Sequence, residues 1–309
     1  MTESTIHASD IQQAQARISS EIAPTPLQYC PRLSAETGCE VYLKREDLQD
    51  VRSYKIRGAL NSISSLSQEE RERGIVTASA GNHAQGVAYA CRTMGIPGKI
   101  FVPEPTPMQK RDRIHVHGGD QVELVVVGAN FDEAAAAAHA DASERHATFI
   151  EPFDARDTII GQGTVAAEVL AQLSAKGASV DTIVVPVGGG GLIGGIGAYL
   201  KAVVPEVKVI GVESIEIVAA SISVATPSPR SSLIAFSIRA AVVKSAVRNA
   251  IRKLDICEKS KSTSRSTRAP DGTAPAVGTP WVTVSAWPPK LKPETALQRM
   301  ARGVAAEGF

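Results

Sequence analysis

The 309-residue sequence has no apolar run that approaches the length of a membrane span. A transmembrane helix needs about 20 consecutive apolar residues, and no such stretch is present. Residues 1–10 are polar and contain no apolar core of the kind that a secretory signal needs. We therefore expect a cytoplasmic protein that does not bind membranes.

Cysteine is also scarce, and no two cysteines show the CxxC spacing that is typical of zinc and redox sites. This scarcity argues against a disulfide framework and against a structural metal. We therefore expect free thiols and no metal ion. The four cysteines are Cys30, Cys39, Cys91 and Cys257.

The net charge of +1 conceals an uneven distribution along the chain. Residues 214–309 contain 14 Lys and Arg against 6 Asp and Glu, so the acidic excess lies in residues 1–213. A basic segment of this kind can bind nucleic acid. However, this one lacks the aromatic and basic interleaving of a known nucleic-acid module, and we expect no nucleic-acid partner.

Residues 1–213 alternate between β-rich runs and stretches with helical periodicity. Such alternation predicts an α/β fold with parallel or mostly parallel twisted sheets flanked by helices. A capping-box pattern, Ser67-x-x-Glu70, predicts one further helix start. The predicted strands are 40–43, 74–78, 99–102, 122–127, 148–150, 182–187 and 207–212, and the predicted helices are 10–21, 54–66, 82–94, 107–117, 131–145, 157–173 and 192–203.

Four consecutive glycines, Gly188, Gly189, Gly190 and Gly191, follow a predicted strand and precede a predicted helix. Glycines allow backbone conformations that expose successive N–H groups, and a helix N-terminus behind them favours an anion. The loop is neither a Walker A motif nor a GxGxxG fingerprint. On its own it fits either a phosphate site or a turn that needs close packing.

A second cluster, residues 79–86, has the sequence SAGNHAQG and lies between a predicted strand and a predicted helix. Ser79 and the N–H groups around Gly81 are suited to a carboxylate. Asn82 fits either a ligand contact or an N-cap. His83 fits either a structural hydrogen bond or a catalytic role.

A third cluster, residues 53–58, contains Lys55 between Tyr54 and Ile56 near a predicted helix start. A lone lysine is usually a solvated surface residue. Desolvation near a helix start would instead lower its pKa and make its amine nucleophilic.

In their order along the chain, residues 53–58, then 79–86, then the glycines at 188–191, the three clusters resemble those of the fold-type II pyridoxal-phosphate enzymes. Within that family they most resemble the threonine dehydratases of the biosynthetic, isoleucine-pathway branch. The resemblance runs from about residue 11 to residue 213 and includes matches beyond the three clusters. These supporting matches are TPL at 25–27, LKREDL at 43–48, FDEA at 131–134, PFD at 152–154 and GQGT at 161–164.

The resemblance implies a two-domain fold, with a large domain at 1–50 and 150–213 and a small domain at 51–149. It implies pyridoxal 5'-phosphate as cofactor, L-threonine and also L-serine as small-molecule substrates, and a homo-oligomer for the full-length family member. The reaction it implies is dehydration and deamination of threonine to 2-oxobutanoate and ammonia.

The resemblance also assigns roles to individual residues. Lys55 bears the cofactor and then moves the Cα proton, and Tyr54 packs near the cofactor ring. Asn82 hydrogen-bonds the 3'-oxygen, while Gly188 to Gly191 hold the phosphate. The substrate carboxylate is received by Ser79 and the N–H groups of Ala80, Gly81, Asn82 and His83.

Ala80 distinguishes between branches of the resembled family. The similar serine racemases carry a serine at this position, where it serves as the acid and base on the second face of Cα. An alanine methyl group cannot move a proton. The resemblance therefore implies elimination rather than racemisation.

The resemblance ends near residue 213, where Ser and Arg become frequent and Gly becomes rare. The family's later segments, which include a serine that bonds the pyridine nitrogen, have no counterpart in residues 214–309. We therefore predict that 214–309 is a non-matching basic tail, frameshifted or disordered, with disorder at 259–280. Without that serine, we predict low or absent activity.

Two alternatives remain open at this point. One is a serine dehydratase or another β-eliminating enzyme of the same fold type. The other is a non-catalytic protein that binds pyridoxal phosphate.

Overall fold

The computed structural model describes residues 5–213 and 281–285 of the chain. The described helices and strands alternate along the sequence, as the predicted α/β class requires. The helices are α1 (Ala8–Ile18), α2 (Pro31–Thr37), α3 (Lys55–Ser64), α4 (Gln68–Arg73), α5 (Asn82–Met94), α6 (Met108–Gly118), α7 (Phe131–Arg145), α8 (Arg156–Ser174) and α9 (Gly191–Val203). The strands are β1 (Leu27–Tyr29), β2 (Val41–Arg45), β3 (Ile75–Ala78), β4 (Gly98–Val102), β5 (Val122–Val126), β6 (Thr148–Phe149), β7 (Thr182–Val187), β8 (Lys208–Glu213) and β9 (Trp281–Ser285).

The described residues divide into two compact units with a sheet in each. The first unit comprises 5–25, 46–168 and 189–205, and the second comprises 26–45, 169–188, 206–213 and 281–285. These bounds differ from those of the predicted large and small domains, whose assignment stays a prediction.

The sheet of the first unit has four parallel strands in the order β5-β4-β3-β6. Its two central strands, β3 and β4, are largely buried on both faces, because alternate side chains enter two different clusters. Ile75 packs with residues of α3, α5 and α6, whereas the neighbouring Val76 packs with Ala138 and Ala142 of α7. The carboxyl ends of these strands therefore share one edge of the sheet.

The sheet of the second unit has the order β1-β2-β9-β7-β8. β1 is antiparallel to β2, and the other pairs are parallel, so the sheet is mostly parallel as predicted. β9 lies within the segment that we expected to be outside the fold. Its sequence, WVTVS, is β-branched and aromatic, which favours a strand. The predictions for 214–280 and 286–309 lie outside the described residues.

Local sequence signals explain several element ends. Ser67 and Glu70 form the predicted capping box at the start of α4, with each side chain accepting from the other's backbone N–H. α5 ends at Gly95, whose φ of 65° lies in the left-handed region that glycine adopts without strain. These signals predict where helices begin and end without reference to the rest of the fold.

Two thiols in the described residues are free, as expected: Cys30, which is half-buried, and Cys91, which is buried. The expectation was wrong for Cys39, which is disulfide-bonded. No described helix has the combined length and hydropathy of a membrane span.

Candidate active site

Lys55 is the first residue of α3, which places its backbone at the turn that opens the helix. The Lys55 N–H donates to the hydroxyl oxygen of Ser53 at 3.2 Å, and Ser53 is itself fully buried. The residue before Lys55, Tyr54, already has helical backbone angles. The lysine therefore projects from a turn whose backbone is fixed by the bond to Ser53 and by the helical conformation of Tyr54.

The Lys55 side chain lies in a desolvated, partly aromatic environment. Its Nζ donates to the carbonyl oxygen of Pro152 at 2.5 Å and lies 5.8 Å from the ring centroid of Tyr54 and 6.0 Å from that of Phe153. Burial lowers the pKa of the Lys55 amine to about 8. A larger share of neutral, nucleophilic amine is therefore available near neutral pH than an ordinary lysine provides.

The tetraglycine loop precedes α9, which begins at Gly191. Gly190 has a φ of 86°, a conformation that strains other L-residues. Gly189 and Gly191 pack against Phe153 so closely that a Cβ on the first would clash with its ring and on the second with its carbonyl oxygen. These three glycines thus combine a special backbone conformation with close approach.

The other face of the same loop is open. Among residues 5–213 and 281–285, a Cβ on Gly188 or Gly190 would meet no atom outside the loop within 4 Å. The first N–H groups of a helix have no intrahelical acceptor, and the helix dipole adds partial positive charge at this end. The start of α9 therefore presents donors beside open space, which suits an anion such as a phosphate.

The loop between β3 and α5 presents polar groups of a different kind. Ser79 N donates to Phe101 O at 3.1 Å, which attaches the loop to β4, and Gly81 N lies 3.3 Å from the Ser79 hydroxyl oxygen. A Cβ on Gly81 would meet nothing within 4 Å. Asn82 begins α5, and it is half-buried, as are Ser79, Ala80 and Gly81.

His83 is 3% exposed and follows this loop in the first turn of α5. Its Nε2 lies 3.1 Å from the carbonyl oxygen of Ile150, to which it donates. Burial, with the positive charge of Lys55 as a second cause, lowers the pKa of His83 to about 3, so the ring is neutral. Its Nδ1 is a buried acceptor without a hydrogen-bond partner among the described residues.

The three sequence clusters meet at one short segment, residues 150–153. Ile150 O accepts from His83, Pro152 O accepts from Lys55, and Phe153 contacts Gly189 and Gly191. The structure therefore brings together Lys55, the glycines at 189–191 and the start of α5.

The motif PFD at 152–154 matches the family in sequence, but no sequence pattern predicts a role for it. Strand adjacency explains its position, because β3 and β6 are neighbouring parallel strands, with Ile75 opposite Thr148 and Val76 opposite Phe149. The residues that follow each strand therefore leave the sheet at the same edge, where sites of open α/β sheets are found. A predicted pairing of β3 with β6 would have identified this segment.

A family model described as "Pyridoxal-phosphate dependent enzyme" matches residues 18–264. The chain belongs to this family. The matched region extends past residue 213, where the notable motifs of the sequence end, and it contains all the predicted site residues. The matched region covers more than half of the chain and includes every described strand except β9.

The curated relatives match over a shorter region. L-threonine dehydratase biosynthetic IlvA of Corynebacterium glutamicum is 68% identical over 208 residues, which cover 67% of this chain and 48% of that protein. The chain thus spans about half the length of the curated relatives it matches.

Solved structures agree with the family assignment. The serine racemase of Dictyostelium discoideum is 33% identical with a TM-score of 0.64, covering 69% of this chain and 67% of that chain. A threonine deaminase from T.th. is 35% identical with a TM-score of 0.63, covering 68% of this chain and 65% of that chain. These similarities confirm the predicted α/β fold class and the pyridoxal-phosphate family.

The described residues fit the family's cofactor. A phosphate matches the open face at Gly188 and Gly190, because no atom of the described residues outside the loop lies within 4 Å of a Cβ placed there. An aldehyde needs a neutral amine, and desolvation favours that form of Lys55. Within the described residues no group of three or more His, Cys, Asp or Glu is arranged to hold a metal ion.

Proposed function

We propose that this chain carries the active site of a pyridoxal-phosphate-dependent dehydratase that converts L-threonine to 2-oxobutanoate and ammonia. L-serine would give pyruvate and ammonia by the same route. The observation that carries the proposal is the desolvated amine of Lys55, which shares the segment 150–153 with the tetraglycine loop.

Lys55 would bear the cofactor and then act as the base at the substrate's Cα. When bound, pyridoxal phosphate supplies an electron sink for the negative charge that develops at that carbon. An amine with a pKa of about 8 accepts a proton and returns it readily near neutral pH. The start of α3 holds the Lys55 backbone, which would limit the amine to one face of the substrate's Cα.

The remaining assigned residues would hold the cofactor and orient the substrate. The glycines at 188–191 would bind the phosphate through backbone N–H groups, and Tyr54 would lie beside the ring. Asn82 would hydrogen-bond the 3'-oxygen. Ser79 and the N–H groups of residues 80–83 would receive the substrate carboxylate, supported by the open space beside Gly81.

Ala80 supports elimination over racemisation. One of the solved relatives is a serine racemase, so the fold alone does not separate the two reactions. Racemisation needs a proton donor and acceptor on both faces of Cα. The half-buried methyl group of Ala80 offers neither.

The test is reduction of the cofactor-loaded protein with borohydride, followed by peptide mass mapping. We expect the label on Lys55 in the wild type, no label in Lys55→Ala, and unchanged labelling in Lys110→Ala, which removes an exposed lysine of α6. A label on another residue, or none, would overturn the proposal.

Product analysis with threonine and serine identifies the reaction. We expect 2-oxobutanoate from threonine at a low rate, because residues 214–309 contain no counterpart of the serine that the resemblance places on the pyridine nitrogen. Pyruvate from serine without 2-oxobutanoate from threonine would indicate a serine dehydratase. A Lys55-linked cofactor without any keto acid would indicate a non-catalytic binding protein.

A further inference from the structure

Arg57, two residues after Lys55, is fully buried and has all of its N–H groups hydrogen-bonded. A guanidinium group has five N–H donors, and five contacts to protein oxygens satisfy them. The contacts are Nε to Glu46 Oε2 at 2.8 Å, Nη1 to Glu168 Oε1 at 2.7 Å, Nη1 to Thr164 Oγ1 at 3.1 Å, Nη2 to Glu46 Oε1 at 2.8 Å and Nη2 to Glu168 Oε2 at 2.9 Å.

The acceptors belong to different elements of the first unit. Glu46 lies in a short 3-10 helix at Glu46–Leu48, and its Oε1 also accepts from the hydroxyl of Thr25 at 2.5 Å. Glu168 and Thr164 lie in α8, and the Thr164 hydroxyl donates to Gly161 O at 2.7 Å. The guanidinium group thus joins α3 to two other elements by bonds of defined direction.

Stability alone does not account for this cluster. Burying charges costs several kcal/mol per ion, and well-packed apolar residues often replace a buried ion cluster without loss of stability. Paired carboxylates on a planar guanidinium provide something that apolar packing lacks, because each bidentate contact sets both a distance and an angle. The cluster therefore fixes the orientation of the first turn of α3.

That turn is the one that carries Lys55. Residues two apart on an α-helix project about 200° apart, so Arg57 and Lys55 lie on opposite sides of α3. The Arg57 N–H donates to Tyr54 O at 3.0 Å, and Gly161 lies against the Arg57 carbonyl oxygen so closely that a Cβ there would clash. The turn is thus anchored behind Lys55 by both the side chain and the backbone of Arg57.

We propose that Arg57, held by Glu46 and Glu168, is a positioning residue that fixes the first turn of α3 so that the Lys55 amine stays at the Pro152 carbonyl. The inference rests on the proposed role of Lys55 as the cofactor-bearing lysine. A shift of the turn by a fraction of an ångström would move the amine away from its desolvated environment.

The test uses two changes to the cluster in the whole chain. Glu168→Gln removes one buried charge and keeps the shape of the side chain. Thr164→Val removes the hydroxyl at nearly constant volume, and with it the bond from Arg57 and the bond to Gly161 O. It serves where the larger change prevents folding. Ile63→Val, in the same helix but remote from the cluster, is the control for loss of core packing.

Three quantities are measured for each variant: the unfolding temperature, the pH profile of Lys55 modification by an amine reagent in cofactor-free protein, and the dissociation constant of pyridoxal phosphate from a spectral titration. We expect the midpoint of Lys55 modification to move toward the ordinary lysine value in both cluster variants, further in Glu168→Gln. Cofactor affinity should fall roughly 10- to 100-fold in Glu168→Gln, and less in Thr164→Val. Ile63→Val should change only the unfolding temperature.

The proposal is overturned if the cluster variants lower the unfolding temperature while Lys55 modification and cofactor affinity stay at wild-type values. Failure of the wild type to bind the cofactor would refute the proposed function instead. The modification profiles of cofactor-free protein would still decide whether Arg57 positions Lys55.

Discussion

Two loops of this protein each follow a parallel strand and lead into a helix, yet they are built from different chemical groups. The loop after β3 combines the side chains of Ser79, Asn82 and His83 with one open glycine at position 81. The loop after β7 offers four glycines and therefore only backbone groups. Both loops meet residues 150–153, the first through His83 and the second through Gly189 and Gly191.

Under the proposed function, the difference would let one site bind two kinds of anion. A phosphate that stays bound through every turnover is suited by fixed backbone donors, which lose little conformational entropy when they bind. A substrate carboxylate that enters and leaves needs groups that also select its shape, and side chains provide them. Backbone geometry should therefore control cofactor affinity, and side-chain chemistry should control substrate affinity.

The largest effect should come from Gly190→Ala in the tetraglycine loop after β7. A left-handed alanine costs roughly 1–2 kcal/mol, and relaxation of that strain would turn N–H groups away from the phosphate. Each lost bond to a charged acceptor is worth about 1.5–3 kcal/mol, so cofactor affinity should fall at least tenfold in a spectral titration.

Gly95→Ala is the matched control for that change. Gly95 also has a left-handed φ, of 65°, and also has open space at its Cβ position, but it ends α5 away from the loop. The Gly95→Ala variant should lose a similar amount of stability and keep the cofactor affinity of the wild type. Equal losses of affinity in the two variants would show that Gly190 serves the fold alone.

A smaller effect is expected from Ser79→Ala in the loop after β3. Loss of one hydrogen bond to a carboxylate should raise the substrate concentration needed for the half-maximal spectral change by about tenfold. Cofactor affinity should stay the same, because the proposed phosphate site is the other loop, at Gly188 to Gly191. Ser19→Ala, at an exposed serine that follows α1, is the control. Weaker cofactor binding with unchanged substrate binding would reverse the assignment of the two loops.

The smallest effect should be a decrease in the free energy of unfolding in acid that comes from His83, next to the loop after β3. Because the pKa of His83 is lowered to about 3, the unfolded chain binds a proton below pH 6.5 that the folded chain does not. The free energy of unfolding should therefore decrease as the pH falls, by about 1 kcal/mol between pH 6.5 and 5.5. Denaturant titrations of cofactor-free protein measure it.

His83→Gln should remove this contribution, whereas His115→Gln, at an exposed position of α6, should leave it unchanged. If His83→Gln retains the full pH dependence, His83 is charged in the folded protein and the interpretation fails.

Elements with strong periodicity or clear end signals were predicted closely. α5, α7 and β7 have the predicted bounds, and most other elements differ by one to three residues. β1 and α2 were not predicted. β1 has only three residues, too few to show periodicity, and it exists through its pairing with β2. β9 was missed because the residues before it are rich in Ser, Thr, Arg and Pro.

Within the site, the nature of each chemical group could be predicted, but its environment could not. Lys55 is identified from its neighbours in the sequence, yet its pKa is lowered by burial in the folded chain, where its Nζ meets Pro152 and Phe153, about 100 residues away. Arg57 lies in the same cluster, residues 53–58, but no sequence pattern assigns it a role. Its role depends on Glu168, which is 111 residues away in sequence.

The sequence by itself determined the alternation of strands and helices, the glycine turn and the identity of the candidate lysine, because these depend on residue type and spacing within short windows. The tertiary structure alone decided that three distant motifs meet at residues 150–153 and that a buried ion cluster anchors α3. Desolvation and hydrogen-bond direction depend on which segments pack together, and no local pattern encodes that.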